Sequence, residues 1–103
     1  MRKIIAVIQA RSGSIRLHGK VLFNLEGKTV LERVVERVKR SKFIEETVVV
    51  TTILKEDLRI VNLCSVKGFR VYAGSENDVL DRYFQAARLL EAGHIVRITA
   101  DNP

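Results

Sequence analysis

Apolar positions along the chain follow two rhythms in alternation. Ile4 to Ile8 is continuously apolar and rich in β-branched residues, the mark of a strand buried on both faces and hence of a parallel sheet. Three later runs have the same character: Thr47 to Thr52 (TVVVTT), the short Phe69 to Tyr72, and His94 to Thr99. Helical spacing separates them. Thr29 with Glu32 three residues on forms a capping box, after which Val30, Leu31, Val34, Val35 and Val38 recur on one face to about Arg40. A second helix is predicted from Glu56 to about Val66, with Leu58, Val61 and Cys64 turned inward and Gly68 as its stop. Gly74 supplies the next turn. Ser75 and Asp78 then cap a helix whose apolar positions are Val79, Leu80, Tyr83, Phe84, Ala87 and Leu90, ending near Gly93.

The resulting order, β-α-β-α-β-α-β, predicts an α/β fold on a parallel sheet with right-handed crossovers. No internal repeat or linker divides the 103 residues, so one domain is expected. In open sheets of this kind ligands bind beyond the carboxyl ends of the strands, where the strand order reverses. With an expected strand order of 3-2-1-4, that point lies between the first and fourth strands. Gln9 and Ala10, Thr51 and Thr52, Ala73 and Gly74, and Thr99 and Asp101 stand at the four carboxyl ends.

Composition narrows the setting. No apolar run approaches the roughly 20 residues of a membrane span and no cleavable signal follows Ile8, so no membrane association and a cytoplasmic location are expected. The single cysteine, Cys64, reads as core packing. The net charge of +6 is unevenly spread: residues 1–25 carry five Lys or Arg and no acid, whereas the remainder is almost balanced. Such an excess favours a compact polyanion site over a long basic face. The Arg33, Arg37 and Arg40 series has Glu32 and Glu36 among it and reads as a solvated helix face. Nucleic-acid binding, suggested by charge alone, lacks the aromatic platforms that single-strand binders use.

Most of the chemistry lies in Gln9 to Leu22, QARSGSIRLHGKVL. Backbone N–H groups at Ser12, Gly13 and Ser14 can turn toward a phosphate, while Arg11, Arg16 and Lys20 neutralise its charge. The loop is neither a Walker A motif, since five residues separate Gly13 from Gly19 and Val21 replaces the hydroxyl, nor a dinucleotide fingerprint. Asp101 is suited either to Mg²⁺ ligation or to capping the next turn. Arg97 alternates with Val96 and Ile98 in a strand expected to be largely buried, so it needs an ion-pair partner, Asp78 or Asp81, or a ligand. His18 and His94 show no paired metal spacing, and no Ser-His-Asp, Cys-His or carboxylate pair stands out. Phosphoryl and nucleotidyl transfers need little covalent chemistry from a protein.

Three segments in order, IIAVIQARSGSIRLHGKVL, GSENDVLDRY (Gly74 to Tyr83) and RITADNP (Arg97 to Pro103), resemble the cytidylyltransferases that make CMP-activated sugars. The resemblance is to the spore coat polysaccharide biosynthesis protein F family and the related CMP-3-deoxy-manno-octulosonate synthetases. It covers essentially the whole chain. It implies a Rossmann-like nucleotidyltransferase fold, CTP as substrate, Mg²⁺, a sugar acceptor and no nucleic acid; a homodimer is compatible with it. By match of motif, Ala10, Arg11, Ser12, Gly13, Ser14, Arg16 and Lys20 would hold the triphosphate and Asp101 the metal. Ser75, Asp78 and Arg82 would lie near the nucleotide or sugar. Two positions depart from the pattern: His18 where proline is usual, and Ala100 where glycine is usual. Family members also continue into a part that binds the sugar, completes the metal site and often dimerises. Residues 1–103 are therefore expected to be a nucleotide-binding N-terminal part, truncated before the sugar-binding part and alone weakly active or inactive. The alternative expectation is a non-catalytic nucleotide-binding or interaction module.

Overall fold

A computed structural model describes residues 4–11, 22, 24–74, 85, 88 and 93–99. Its centre is β1 (Ile4–Gln9), whose Ile5, Ala6, Val7 and Ile8 are all 0% exposed. A strand apolar on both faces must be covered on both faces and flanked at both edges. Accordingly β4 (Glu46–Thr52) pairs with it on one side and β6 (His94–Thr99) on the other, while β5 (Arg70–Gly74) lies outside β4. All three pairings are parallel, with Val7 opposite Val48 and Arg97, and Val50 opposite Tyr72. The order β5-β4-β1-β6 is the expected 3-2-1-4.

The first crossover helix, α1 (Val30–Lys39), starts at the capping box read from sequence. The Thr29 hydroxyl accepts the Glu32 N–H at 3.1 Å, and Glu32 Oε1 accepts the Thr29 N–H at 3.3 Å. Its stripe of Val30, Leu31, Val34, Val35 and Val38 is buried. Each such side chain contributes about 1.5–3 kcal/mol of hydrophobic stabilisation before conformational entropy is charged against it. The opposite side carries the arginine series: Arg37 and Arg40 are exposed and Arg33 half-buried.

The second crossover helix, α2 (Leu58–Lys67), begins two residues later than expected, after a turn of 3₁₀-helix at Lys55–Asp57. That shift changes its inward face. Ile60 and Cys64 are fully buried, with Leu63 partly buried beside them, whereas Leu58 is 55% exposed and Val61 only half-buried. The physical reason is the preceding turn, which spends the first apolar position on solvent. Gly68 ends α2 in the left-handed region (φ 74°), and the Phe69 N–H reaches back to the Cys64 carbonyl at 2.8 Å, a Schellman closure. Ala6, Ile8, Ala10 and Val49 form one cluster with both helices, so α1 and α2 cover the same sheet face. Successive right-handed crossovers running the same way across a sheet require this.

Two features were not anticipated. Asn24–Leu25 (β2) and Lys28–Thr29 (β3) form a hairpin around Glu26 (φ 54°) and Gly27 (φ 91°). Two-residue strands leave no alternation to read, and glutamate is an unusual first residue for a turn with two positive φ values. The strand β6 is also less covered than expected, with Ile95 and Val96 each 41% exposed and Arg97 exposed, because it is the edge of the described sheet. Of the predicted third helix, Gln85 and Arg88 are described and are helical, and Gly93, its predicted stop, is a bend; Ser75, Asp78, Asp81 and its predicted apolar positions lie outside the described residues.

Candidate functional site

The carboxyl edge of the sheet is assembled by register. Gln9, the last residue of β1, pairs with Val50 on one side and Thr99 on the other. The pairing runs one residue further, since the Ala10 N–H donates to the Val50 carbonyl at 2.9 Å. Ala10 is 1% exposed; Arg11, half-buried, is the first residue to leave the sheet. The chain turns from β4 and β5 on one side of β1 to β6 on the other, so the reversal of strand order falls between β1 and β6. The cationic segment follows β1, and Asp101 follows β6 in the sequence. Their strands thus end side by side.

Two consecutive threonines close β4 on opposite faces. Thr51, two residues after the cluster member Val49, shares its face and is 0% exposed. Among the described residues its Oγ1 has no hydrogen-bond partner, a state that costs about 1–3 kcal/mol when a polar atom is buried. Thr52, 1% exposed, is fully engaged: its hydroxyl donates to Oδ2 of Asp57 and accepts the Leu54 N–H at 3.2 Å. Asp57 is itself 0% exposed. One residue on, the Ile53 N–H donates to the Gly74 carbonyl at 2.9 Å, and Thr52 lies opposite Gly74 in register. The end of β4, the first turn before α2 and the exit of β5 therefore form one hydrogen-bonded unit.

Of the residues singled out from sequence, Ala10, Arg11 and Thr51 are brought together at this edge. Ser12, Gly13, Ser14, Arg16, Lys20, Ser75, Asp78, Arg82 and Asp101 lie outside the described residues. Thr52 was placed at a carboxyl strand end without a role, and Asp57 was missed. Asp57 reads in sequence as an ordinary acid at a helix start, and only its burial marks it otherwise. Among the described residues no group of three or more His, Cys, Asp or Glu could hold a metal.

Two described groups away from this edge have shifted titration. The hydrogen bond from Lys28 outweighs an opposing effect of desolvation and, with the Coulombic attraction of Lys28, Arg40 and Arg33, holds the Glu36 carboxyl below the usual carboxylate range. Burial pushes the Cys64 thiol up to about 11. The amino edge has a surface cleft of about 380 Å³, lined among others by Lys39, Glu45, Glu46 and Arg70. Its charges answer one another, as in the Glu46–Arg70 pair at 4.0 Å, so it favours neither ion sign.

The class so defined is an open parallel α/β protein whose strand order reverses between β1 and β6. Residues 5–103 match the family model described as cytidylyltransferase, and the chain belongs to that family. It is 52% identical over 101 residues to an uncharacterized protein of Methanocaldococcus jannaschii, covering 98% of this chain and 42% of that one. It is 41% identical to the spore coat polysaccharide biosynthesis protein SpsF of Bacillus subtilis, covering 100% and 45%. Among solved structures, a cytidylyltransferase from Leptospira borgpetersenii superposes with a TM-score of 0.91 at 40% identity, covering 98% of this chain and 42% of that one. The CMP:2-keto-3-deoxy-manno-octonic acid synthetase complexed with CTP gives 0.79 at 29%, covering 95% and 40%. The chain spans less than half the length of these relatives.

Proposed function

We propose that this chain supplies the nucleotide-binding part of a CTP-dependent, Mg²⁺-assisted sugar nucleotidyltransferase. The observation that carries the reading is the arrangement at the carboxyl edge: the cationic segment beginning at Arg11 leaves the central strand beside the strand that leads to Asp101, in a chain of the cytidylyltransferase family. In the reaction proposed, a sugar oxygen attacks the α-phosphorus of CTP in line and pyrophosphate leaves. Arg11, Arg16 and Lys20 offset the charge growing on the leaving phosphates, and the Ser12–Ser14 backbone orients them. Ser75, Asp78 and Arg82 hold the nucleoside or sugar end.

A single carboxylate beyond a strand end suits Mg²⁺, which takes one or two protein carboxylates and shares the rest of its shell with water and phosphate. Asp101 would hold it, and when bound it would offset phosphate charge. The relatives' names support a sugar acid or a precursor of a surface polysaccharide as the acceptor.

A thermal-shift panel with CTP, UTP, ATP and GTP, each with and without Mg²⁺, tests the reading. At about 100 times its dissociation constant a ligand specific for the folded state adds roughly 2.7 kcal/mol. For a domain near 100 residues that is a rise of roughly 10 °C or more. A CTP shift that depends on Mg²⁺ and disappears in Arg11→Ala and Asp101→Ala is the expected result. No shift with any nucleotide would defeat it.

A further inference from the structure

Asp57 is a buried carboxylate outside the residues assigned above. It stands at the N-cap position of α2, where aspartate ordinarily accepts a backbone N–H of the first turn, yet it makes no such bond. Its backbone is already helical there (φ −90°, ψ −1°). The carboxylate instead accepts from the Thr52 hydroxyl on the preceding strand. A fully buried carboxylate is costly to keep unless it is hydrogen-bonded, and a satisfied buried network stiffens the segments it joins. What it holds is the turn from Thr52 to Asp57. Thr52 Oγ1 donates to Asp57 and accepts from Leu54, the Asp57 N–H closes on the Leu54 carbonyl at 2.9 Å, and the Ile53 N–H clamps the Gly74 carbonyl. Gly74 is the last residue of β5 and the first of GSENDVLDRY.

We propose that Asp57 is the positioning residue for the nucleoside end of the site: through Thr52 and Ile53 it fixes Gly74, the point from which residues 75–82 depart. The proposal rests on the nucleotidyltransferase reading and divides the site into two supports. Triphosphate recognition hangs on β1 and its cationic segment. Nucleoside recognition hangs on the exit of β5 and so on Asp57, which touches no ligand itself.

The division gives a readout that a merely structural role would not move. Affinities of the 103-residue chain for Mg²⁺–CTP and for inorganic tripolyphosphate are measured by calorimetry in wild type, Asp57→Ala, Thr52→Val and Thr52→Ser. Val38→Ala, in the core at the far end of α1, serves as a control for lost stability. The expected result is a loss of CTP affinity of about tenfold or more in Asp57→Ala and Thr52→Val, within the range that a displaced binding group costs. Tripolyphosphate affinity stays unchanged, and Thr52→Ser, which keeps the hydroxyl, restores CTP binding. Thr52→Val carries the comparison should Asp57→Ala fail to fold. Equal loss of both ligands, or a loss no larger than in Val38→Ala, overturns the proposal while leaving the nucleotide reading standing. A wild-type chain that binds neither ligand overturns both.

Discussion

The two edges of the parallel sheet differ in how their polar groups are committed. At the amino edge polar groups are paired: Glu46 lies beside Arg70, Lys39 sits over the Phe69 ring at 4.9 Å, and the Glu45 N–H donates to the Ile4 carbonyl. At the carboxyl edge one threonine hydroxyl is saturated and its neighbour has no partner among the described residues, while the segment leaving β1 is cationic without a nearby acid in sequence. The polarity of a parallel sheet, which gathers the loops after its strands at one edge, makes the carboxyl edge the one to weigh as a ligand site.

The sharpest way to break this contrast is through the core that both edges share. Leu31→Ala, at a position 0% exposed, is expected to cost about 2–5 kcal/mol in urea unfolding. Val38→Ala, a smaller truncation, should cost less. A Leu31→Ala loss below 1 kcal/mol would mean that α1 is not packed as described.

The adjacent threonines separate the edge's two kinds of hydroxyl. Thr52→Val removes the donor to a buried carboxylate and should cost about 1–3 kcal/mol. Thr51→Val removes a hydroxyl without a partner and should leave stability unchanged or raise it by about 1 kcal/mol. Reversal of that order, read from chemical denaturation of the two variants, would refute the assignment of partners.

Cys64 tests burial under α2. Its thiol is raised to about 11, so the folded state holds its proton more tightly than the unfolded chain. That contribution is fully present below the unfolded value near 9 and is lost as pH rises through about 11. Wild type should lose stability over this window more steeply than Cys64→Ala, and its thiol should react with a disulfide reagent only as the protein unfolds. Fast labelling of the folded chain at pH 8 would contradict the packing.

The smallest effect belongs to the exposed Lys28–Glu36 pair, 2.7 Å apart. The folded Glu36 value is lowered, so its contribution exists above the unfolded carboxylate range and disappears as pH falls through the folded value. Glu36→Gln should flatten this slope slightly, and added salt should erase the difference from wild type. A large effect would show that the hairpin's grip on α1 is stronger than an exposed pair provides.

Much of this was legible in the residues themselves. The β-branched run at Ile4 to Ile8 demanded a doubly covered central strand, and Thr29 with Glu32 demanded a helix start, because burial and capping are local needs that only a few residue types meet. The resemblance to the cytidylyltransferases was legible too, because it rests on three short motifs in order along the chain, and the family match covers residues 5–103. What sequence could not decide was phase and commitment. Leu58 and Val61 suit an inward helix face as well as Ile60 and Cys64 do, until the turn at Lys55–Asp57 sets the rotation. Thr51 and Thr52 are the same residue twice, and only the sheet gives one a carboxylate and the other none. Pattern fixes which residues must be buried. Which of them meet, and which polar atoms are left over for a ligand, depends on contacts between elements distant in the chain, and these exist only once the sheet has closed.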